Sequence, residues 1–437
     1  MASGERSCVA YVLKGWPRLS ELFIASEIAR LEARGVPLRL YVLKPADEEL
    51  RHPVVERIRA EARYLPAAGS ISAVSARRWL ADNLGAFRGG LAGSARRHPA
   101  GLARAAAAAL AQSHRARKGR FAWRKIYLKE LLQAAALADE VDRAGDVGHL
   151  HAHFAHGTTT VTWLASLITG LPFSFTGHAK DIYNPALNPA GLLARKLRAA
   201  RFAATCTDAN RRHLETIAPD AAVRLVYHGL NADFARLLHA PDAPPPQPAA
   251  PPQVLAVGRL VAKKGFDTFV EAIALLRGRG VELRVVIAGE SGPHEAAVRA
   301  LIAERGLSGD VELRGPLTQA ELLAEHRRST VFALACRVDD DGDRDGIPNV
   351  LVEAMAAGLA VVSTAVSGIP ELIRSGENGL LVAPDDPPAL ADAILAVLKD
   401  PTLAAQLGAA AAADVAARFD GDALAEQMAA LFSEAAP

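Results

Sequence analysis

Asp345-Gly-Ile-Pro-Asn-Val-Leu-Val-Glu353 and Val257-Gly-Arg-Leu-Val-Ala-Lys-Lys-Gly265 are the stretches that decide the fold of this chain. In the first stretch, Pro348 suits the opening turn of a helix, because proline has no amide hydrogen to leave unpaired there. The sequence therefore predicts a helix that begins near Ile347. The start of a helix presents unpaired amides and the positive end of the helix dipole, and both favour a phosphate group.

The second stretch supplies positive charge. The apolar run at residues 254–257 is typical of a buried parallel strand, and Gly258 lets the backbone approach a ligand closely. Arg259 and Lys264 then place two cations in the loop before the next helix, where they suit a diphosphate. Glu353 lies just over one turn into the helix of the first stretch, where its carboxylate can accept hydrogen bonds from a ribose diol. Together, the two stretches point to a nucleotide-sugar site.

These residues resemble the retaining glycosyltransferases of family 4, which have the GT-B fold, and the resemblance covers essentially the whole chain. It implies that Arg259 and Lys264 hold the donor diphosphate, that Asp345 meets the sugar hydroxyls and that Glu353 meets the ribose. The family has glutamate at the position of Asp345. Because the aspartate side chain is shorter than that of glutamate, it reaches less far toward the sugar. The remaining donor contacts implied by the resemblance are Gly346, Ile347, Pro348, Asn349 and Val350. Each piece alone also occurs in other Rossmann-like domains.

The composition indicates a two-domain protein. A chain of 437 residues, half of them hydrophobic, can bury more than one core. Its net charge of +2 is too small to indicate nucleic acid as a partner. Cys8, Cys206 and Cys336 all lie in apolar runs, which predicts buried thiols in a reducing compartment. The sequence shows neither a signal peptide nor an apolar run of the roughly 20 residues that span a bilayer, so we expect a cytoplasmic protein.

Short apolar strands alternate with amphipathic helices almost from end to end, which predicts two doubly wound α/β domains. The resemblance implies two Rossmann-like domains that face each other across a cleft, an acceptor domain at residues 1–228 and a donor domain at 229–420. It also sends the C-terminal helix, about residues 421–437, back onto the first domain. Seven prolines in residues 241–252 predict a loop or linker close to the boundary. The predicted strands are residues 8–13, 38–43, 149–154, 173–176, 203–207, 224–227, 254–257, 283–288, 311–314, 331–334 and 360–363.

A basic stretch occupies residues 77–129. It contains thirteen lysine or arginine residues and a single acid, Asp82, with interleaved aromatic residues such as Phe121 and Trp123. A basic amphipathic segment of this kind suits the surface of an anionic membrane, although a solvated helical face would have the same composition. We therefore expect peripheral contact with the membrane through this stretch, on its cytoplasmic side.

The beginning of the chain sharpens the resemblance. Leu13-Lys-Gly-Trp-Pro-Arg-Leu-Ser-Glu-Leu-Phe-Ile24 resembles the opening signature of bacterial exopolysaccharide glycosyltransferases, including the colanic acid type, with Leu22 in place of the usual threonine. The resemblance places Gly15 at the end of the first strand, against the diphosphate. Ser20 and Glu21 would open the following helix, where their residue types are also those of a plain helix start.

Two histidine motifs follow in the first half. His151-Ala-His-Phe-Ala-His156 has clustered histidines but no acid or thiol next to them in sequence, so we expect no metal there. Phe175-Thr-Gly-His-Ala-Lys-Asp-Ile-Tyr183 resembles the family segment in which a histidine contacts the donor sugar. This places His178 at the reaction centre, where its imidazole can hydrogen-bond a sugar hydroxyl. Asp181 would orient this loop.

The acidic run at residues 339–345 offers a different metal hypothesis. It does not match a calcium loop, because Pro348 stands where a bidentate glutamate is needed. Since Arg259, Lys264 and a helix start can already neutralise phosphate, we expect no metal and no other cofactor, and we interpret residues 339–343 as a solvated loop.

The resemblance therefore implies a retaining glycosyltransferase that moves a sugar from a UDP- or GDP-sugar to a hydroxyl of a polysaccharide precursor or glycolipid. In this interpretation His178, Asp345 and Glu353 act at the reaction centre. The alternatives are a GT-B-fold sugar-nucleotide 2-epimerase, which would use similar groups without an acceptor, and a scaffold that binds nucleotide without turnover.

Overall fold

The computed structural model describes residues 8–18, 21–46, 52–72, 74–117, 124–241 and 245–435. The chain divides into two compact units. The first contains residues 1–206, 210–226 and 425–437, and the second contains residues 207–209 and 227–424. Each unit is built on one parallel β-sheet with helices between successive strands. The sequence prediction of two parallel α/β domains is therefore confirmed.

The first unit has a seven-stranded parallel sheet in the order β3-β2-β1-β4-β5-β6-β7. Its strands are β1 (Cys8–Leu13), β2 (Leu38–Val42), β3 (Ala62–Tyr64), β4 (Val147–His153), β5 (Phe173–Gly177), β6 (Ala203–Thr205) and β7 (Val223–Leu225). The helices that follow these strands are α1 (Leu22–Ala33), α2 (Pro53–Glu56), α3 (Ala76–Arg97), α4 (Pro99–Arg115), α5 (Ile126–Ala144), α6 (Gly157–Thr169), α7 (Ala179–Tyr183), α8 (Leu192–Ala199) and α9 (Asp208–Ile217).

The second unit has a six-stranded parallel sheet in the order β10-β9-β8-β11-β12-β13. Its strands are β8 (Gln253–Val257), β9 (Arg284–Ala288), β10 (Val311–Arg314), β11 (Val331–Leu334), β12 (Ala360–Thr364) and β13 (Leu380–Val382). Its helices are α10 (Ala232–Leu238), α11 (Phe266–Gly278), α12 (Glu295–Glu304), α13 (Gln319–Arg328), α14 (Asn349–Ala356), α15 (Ile369–Leu372), α16 (Pro387–Lys399) and α17 (Pro401–Arg418), and α18 (Gly421–Ala435) ends the chain.

Both sheets are buried because helices cover their faces. All residues of β1, β4, β8 and β11 are buried, as expected for central strands of a parallel sheet that is covered on both faces. The three cysteines are also buried and form no disulfide, which confirms the prediction of small buried thiols. In the C-terminal part of α18, Phe432 packs against the rings of Tyr11 and His151 in the first unit.

The prolines before β8 form an irregular segment. Of residues 241–252, the first and the last eight are described, and Gln247 and Ala249 donate backbone hydrogen bonds to the carbonyls of Arg327 and Arg328. The segment is thus tied to the end of α13. Among the described helices, none combines the length and the apolar character that a membrane span requires.

Helix α4 packs closely on α6 at Gly101. A Cβ added at Gly101 would lie 2.1 Å from the carbonyl oxygen of Ile168, a backbone atom that cannot move aside. We expect Gly101→Ala to lower the free energy of unfolding by about 1–3 kcal/mol through overpacking. The control is Gly85→Ala in α3, where a Cβ meets nothing within 4 Å, so alanine should stabilise the helix by up to ~1 kcal/mol. Urea titrations followed by circular dichroism measure both changes, and equal effects of the two substitutions would contradict the packing.

Candidate active site

The two stretches quoted first lie side by side at the carboxyl edge of the second sheet. Gly258 follows β8 directly, and the acidic run leads from β11 to α14. Strands β8 and β11 are hydrogen-bonded neighbours, with Val254 opposite Val331. The chain order of the strands reverses between them, and open α/β sheets bind ligands in the crevice that such a reversal creates. The fold therefore brings the predicted cations and acids to one place.

A tight turn positions Lys264. The turn spans Ala262–Lys264, and Gly265 follows it with φ 62°. A Cβ on Gly265 would lie 1.8 Å from the carbonyl oxygen of Ala335, so only glycine permits this approach to the end of β11. The Lys264 side chain lies over Gly258, where an added Cβ would come within 3.3 Å of its Cδ. Both glycines thus place the ammonium group at the strand ends.

Asp345 forms ion pairs with this turn. Its Oδ2 lies 2.7 Å from Nζ of Lys264, and its Oδ1 lies 3.2 Å from Nζ of Lys263. Although burial opposes ionisation, the two ammonium groups hold the pKa of Asp345 well below its usual range. Asp345 is therefore a carboxylate at neutral pH. The sequence prediction brought Asp345 and Lys264 into one site but missed Lys263.

Asp343 differs from the prediction of a solvated loop. Its Oδ1 lies 3.2 Å from Nζ of Lys263, and its side chain is only 13% exposed. The prediction was wrong for this residue because the ion pair joins positions 80 apart in sequence. Asp340 and Asp341 are exposed, as expected.

The helix of the first stretch begins two residues later than predicted. Helix α14 starts at Asn349, and Pro348 precedes it with an extended ψ of 126°. The amide of Leu351 donates to the carbonyl of Pro348. Asn349 and Val350 thus supply the amides of the first turn that lack acceptors within the helix, whereas Gly346 and Ile347 lie in the loop before it.

Glu353 is buried within the second unit. It is 2% exposed, and its Oε1 accepts a hydrogen bond from the side-chain amide of Asn231. Burial raises the pKa of Glu353 to about 7, and the bond from Asn231 opposes this only in part. Asn231 precedes α10, more than a hundred residues from Glu353, and no sequence pattern indicated this pair.

Arg259 is the exposed cation of the candidate site. Within the described part of the chain its guanidinium makes no ion pair. The site therefore contains two kinds of cation: Lys264 is compensated by Asp345, whereas Arg259 remains available to an anion from solvent.

The first unit carries the other predicted residues at the carboxyl edge of its own sheet. Gly15 follows β1 and His178 follows β5, and the strand order of this sheet reverses between β1 and β4. Gly15 is buried, and a Cβ there would approach Cδ of Arg18 to 3.4 Å. Glu21, which directly precedes α1, pairs with Arg18 at 2.9 Å. Ser20 lies outside the described residues.

His178 sits among rings. Its ring centroid lies 4.7 Å from that of Phe154 and 5.1 Å from that of Phe23. Its Nε2 is 3.5 Å from Nδ1 of His153. Asp181 accepts from the backbone amide of His178 at 3.1 Å and from the amide of Ala155. Asp181 therefore orients the His178 loop, as the sequence predicted.

The histidines of β4 have an acidic partner that the sequence did not show. Glu27 of α1 places Oε1 3.0 Å from Nε2 of His153 and accepts from the hydroxyl of Tyr11. Ligand atoms of Glu27, His151 and His153 lie within 4.8 Å of one another, which is close enough for a metal. However, the nitrogens of His151 already bond Ser174 and Thr176, so these groups form a hydrogen-bonded network.

A buried lysine supports the same loop. Lys196 is fully buried, and its Nζ donates to the carbonyls of Ala155 and His156 at 2.9 and 3.1 Å and to Oδ1 of Asn188 at 2.9 Å. Burial lowers the pKa of Lys196 to about 7 and raises that of nearby Glu130 to about 8. The loop after β4 is thus fixed by side chains from α7 and α8.

Glu353 gives the site a pH signature. Its folded pKa of about 7 lies above the ordinary value of 4.5, so the folded chain binds the extra proton between these values and stability falls as pH rises through this range. Glu353→Gln cannot ionise. We expect it to be more stable than the wild type above pH 7, by at most ~3 kcal/mol, with the gap closing below pH 4.5. Urea unfolding at pH 4.5, 6 and 8 measures this, and a gap independent of pH would contradict the raised pKa.

A family model matches part of the second half of the chain. Residues 242–414 match the model of glycosyl transferases group 1. The chain is 39% identical over 162 residues to a putative colanic acid biosynthesis glycosyltransferase, WcaL, of Salmonella typhimurium. The aligned residues make up 37% of this chain and 39% of the relative. This chain is 35% identical over 179 residues to a GDP-mannose-dependent alpha-(1-6)-phosphatidylinositol monomannoside mannosyltransferase of Mycobacterium tuberculosis, covering 41% and 46%. The chain thus matches less than half the length of either relative.

The fold has a solved counterpart across nearly the full chain. The HepE protein of Anabaena, in complex with UDP and glucose, superimposes with a TM-score of 0.66 and 16% identity over 98% of this chain and all of the other. At this identity the likeness shows the GT-B fold. The chain therefore carries a glycosyl transferases group 1 domain on a GT-B fold, and its resemblance to the exopolysaccharide-type glycosyltransferases of family 4 is confirmed.

Proposed function

We propose that this chain is a retaining glycosyltransferase that moves a sugar from a nucleoside diphosphate sugar to a hydroxyl of a polysaccharide precursor or glycolipid. The observation that carries the proposal is the placement of Arg259, Lys264, Asp345 and the start of α14 at the ends of two adjacent strands, β8 and β11. These elements lie in the segment that matches the family model. Cations and helix amides at one edge suit a diphosphate leaving group.

The leaving group determines what these residues do. In the reaction, the bond between the anomeric carbon and the β-phosphate oxygen breaks, and the acceptor oxygen takes its place on the same face of the sugar. The acceptor proton passes to the departing phosphate, so no separate protein base is required. Arg259, Lys264 and the amides of Asn349 and Val350 stabilise the negative charge that develops on the diphosphate.

The remaining site residues contact the sugar and the ribose. By resemblance, His178 hydrogen-bonds a hydroxyl of the donor sugar, Asp345 meets another, and Gly15 approaches the diphosphate. Glu353 meets the ribose. Its raised pKa suits this role, because a neutral carboxyl can donate as well as accept a hydrogen bond.

The donor is a UDP- or GDP-sugar, and the acceptor is lipid-linked or a saccharide. One relative is named for its dependence on GDP-mannose, and HepE binds UDP. We propose that no metal or other cofactor takes part, since lysine and arginine side chains supply the positive charge. Turnover in excess EDTA tests this. The comparisons give the epimerase alternative no support, and measured turnover would exclude an idle scaffold.

The donor proposal predicts a loss of binding and of turnover. Calorimetry without added metal should show that one of UDP, GDP and ADP binds most tightly. Arg259→Ala should weaken this binding, and Lys264→Ala and Glu353→Ala should each lower turnover by ~10²-fold or more. The control is Lys399→Ala, an exposed lysine in the last turn of α16, which should change neither quantity. Wild-type activity in both the Lys264 and the Glu353 variants would overturn the site assignment.

We also propose that the first unit contacts anionic lipid on the cytoplasmic side of the membrane. Part of the basic stretch is used internally: Arg97 bonds Asp139 and Asp142 of α5. The rest of its described cations are mostly on the surface of α3 and α4, beside two exposed apolar side chains, Leu84 (40%) and Leu110 (58%). The exposed arginines are Arg77, Arg78, Arg88, Arg96, Arg104, Arg115 and Arg117. Phe121 and Trp123 lie outside the described residues.

Membrane contact is tested with vesicles. We expect the protein to sediment with phosphatidylglycerol vesicles but not with phosphatidylcholine vesicles at moderate ionic strength. Arg104→Glu with Arg115→Glu should reduce binding by about tenfold or more, since each cation near the surface contributes ~1 kcal/mol. Leu110→Glu should also reduce it. Leu275→Glu, at a residue 38% exposed in the second unit, is the matched control. Equal sedimentation with both lipids would contradict the proposal.

A further inference from the structure

Asp345 binds both lysines of the turn that precedes α11. Its Oδ2 lies 2.7 Å from Nζ of Lys264, and its Oδ1 lies 3.2 Å from Nζ of Lys263. The side chains are largely shielded from water, at 18% exposure for Asp345 and 13% for Lys264. Each carboxylate oxygen therefore has an ammonium partner, and the ion pairs are less weakened by solvent than those on an open surface.

The charges of this cluster cancel. Asp343 shares Lys263 with Asp345, at 3.2 Å, so two carboxylates face two ammonium groups. These four side chains therefore have no net charge, although the proposed site has to attract a diphosphate. Arg259 is exposed and makes no ion pair with the described residues, so its charge can attract an anion.

The backbone fixes these partners. The amide of Arg337 donates to the carbonyl of Lys263 at 2.9 Å, and the amide of Asp339 donates to the carbonyl of Asp343 at 2.8 Å. Gly265 is held against Ala335 at a distance that leaves no space for a side chain. The backbone of the loop after β11 is therefore bonded to the turn Ala262–Lys264, which we call the lysine turn. Asp345 can then change its lysine partner only by rotation of side chains.

An anion that binds Lys264 meets the carboxylate that is already there. Phosphate and carboxylate repel each other at such short range, so Asp345 has to give up Lys264. We propose that Asp345 is an internal anion of the donor site, which a diphosphate displaces from Lys264, and that Lys263 is a positioning residue that retains the displaced carboxylate. The inference rests on the proposed donor site.

This arrangement selects for a highly charged ligand. A diphosphate carries more charge than one carboxylate and can engage Lys264, Arg259 and the start of α14 together, whereas a monophosphate or a neutral sugar gains too little to displace Asp345. Because Lys263 keeps hold of Asp345, the carboxylate stays beside the bound donor. Asp345 can therefore contact the sugar while it keeps its ion pair with Lys263.

Inorganic pyrophosphate is the probe that isolates this step, because it has neither sugar nor base. Calorimetry at low ionic strength, where ion pairs are least screened, compares the full chain with its variants. We expect Asp345→Asn to bind pyrophosphate about fivefold more tightly than the wild type, although the same substitution lowers sugar transfer. Lys264→Met should weaken pyrophosphate binding by about tenfold. Asp340→Asn removes an equal charge from an exposed position in the same loop and should change binding less than twofold.

Lys263 is tested by a pair of substitutions. Lys263→Met leaves Asp345 on Lys264 alone and should weaken pyrophosphate binding by about threefold, whereas Lys263→Arg should restore it. In the background of Asp345→Asn, Lys263→Met should have a smaller effect, since the retained carboxylate is gone. A purely structural ion pair would instead lower thermal stability in proportion to the loss of binding, with no gain for Asp345→Asn.

The outcomes separate this inference from the proposed function. If the wild type binds pyrophosphate and folded Asp345→Asn binds it equally or more weakly, the internal anion is overturned and the donor site stands. If neither binds it, and Lys264→Met changes nothing, the donor site itself is wrong. Asp345→Ser provides a second variant should the asparagine variant not fold, and tighter binding by either one supports the inference.

Discussion

The reversal of strand order between β8 and β11 is the constraint on which the candidate site depends. Two strands that are neighbours in the sheet lead their chains away in opposite directions, and the loops at their carboxyl ends leave room for a ligand. The loop after β8 brings Lys264, and the segment after β11 brings Asp345 and α14. Residues about 80 positions apart in sequence thereby come into ion-pair distance. The ion pairs of Asp345 with Lys263 and Lys264 follow from this adjacency.

Gly265 allows the loop after β8 to approach the end of β11 closely. The lysine turn approaches β11 at Gly265, whose positive φ and lack of Cβ allow contact with the carbonyl of Ala335. A side chain there would push the turn outward and separate Lys264 from Asp345. The short distance of 2.7 Å between these two groups is therefore a consequence of backbone packing as much as of opposite charge.

The sequence predicted most of the described strands because their signals are local. The apolar runs of β1, β10 and β11 gave their observed bounds, and Pro348 located the start of α14 to within two residues. Strands β3 and β13 were missed because both are only three residues long. β3 has no continuous apolar run, and the apolar run of β13, Leu380–Val382, is short and only partly buried. The pairs of Glu27 with His153 and of Asn231 with Glu353 were missed for another reason. They depend on which helices the fold places over which strands, and no spacing within one motif encodes that.

The two units stabilise their carboxyl-edge loops by different means. In the second unit, carboxylates pair with lysines that keep some contact with solvent. In the first unit, Nζ of the fully buried Lys196 lies within hydrogen-bond distance of three neutral oxygens, while Asp181 accepts two backbone amides. Such donors are needed because the strand ladder ends at His153 and Gly177, and the backbone beyond has to find partners elsewhere. Nζ of Lys196 donates to two consecutive carbonyls, at Ala155 and His156. The loop that contacts His178 is thus held by hydrogen bonds from buried side chains, and Asp181 also bonds the backbone amide of His178.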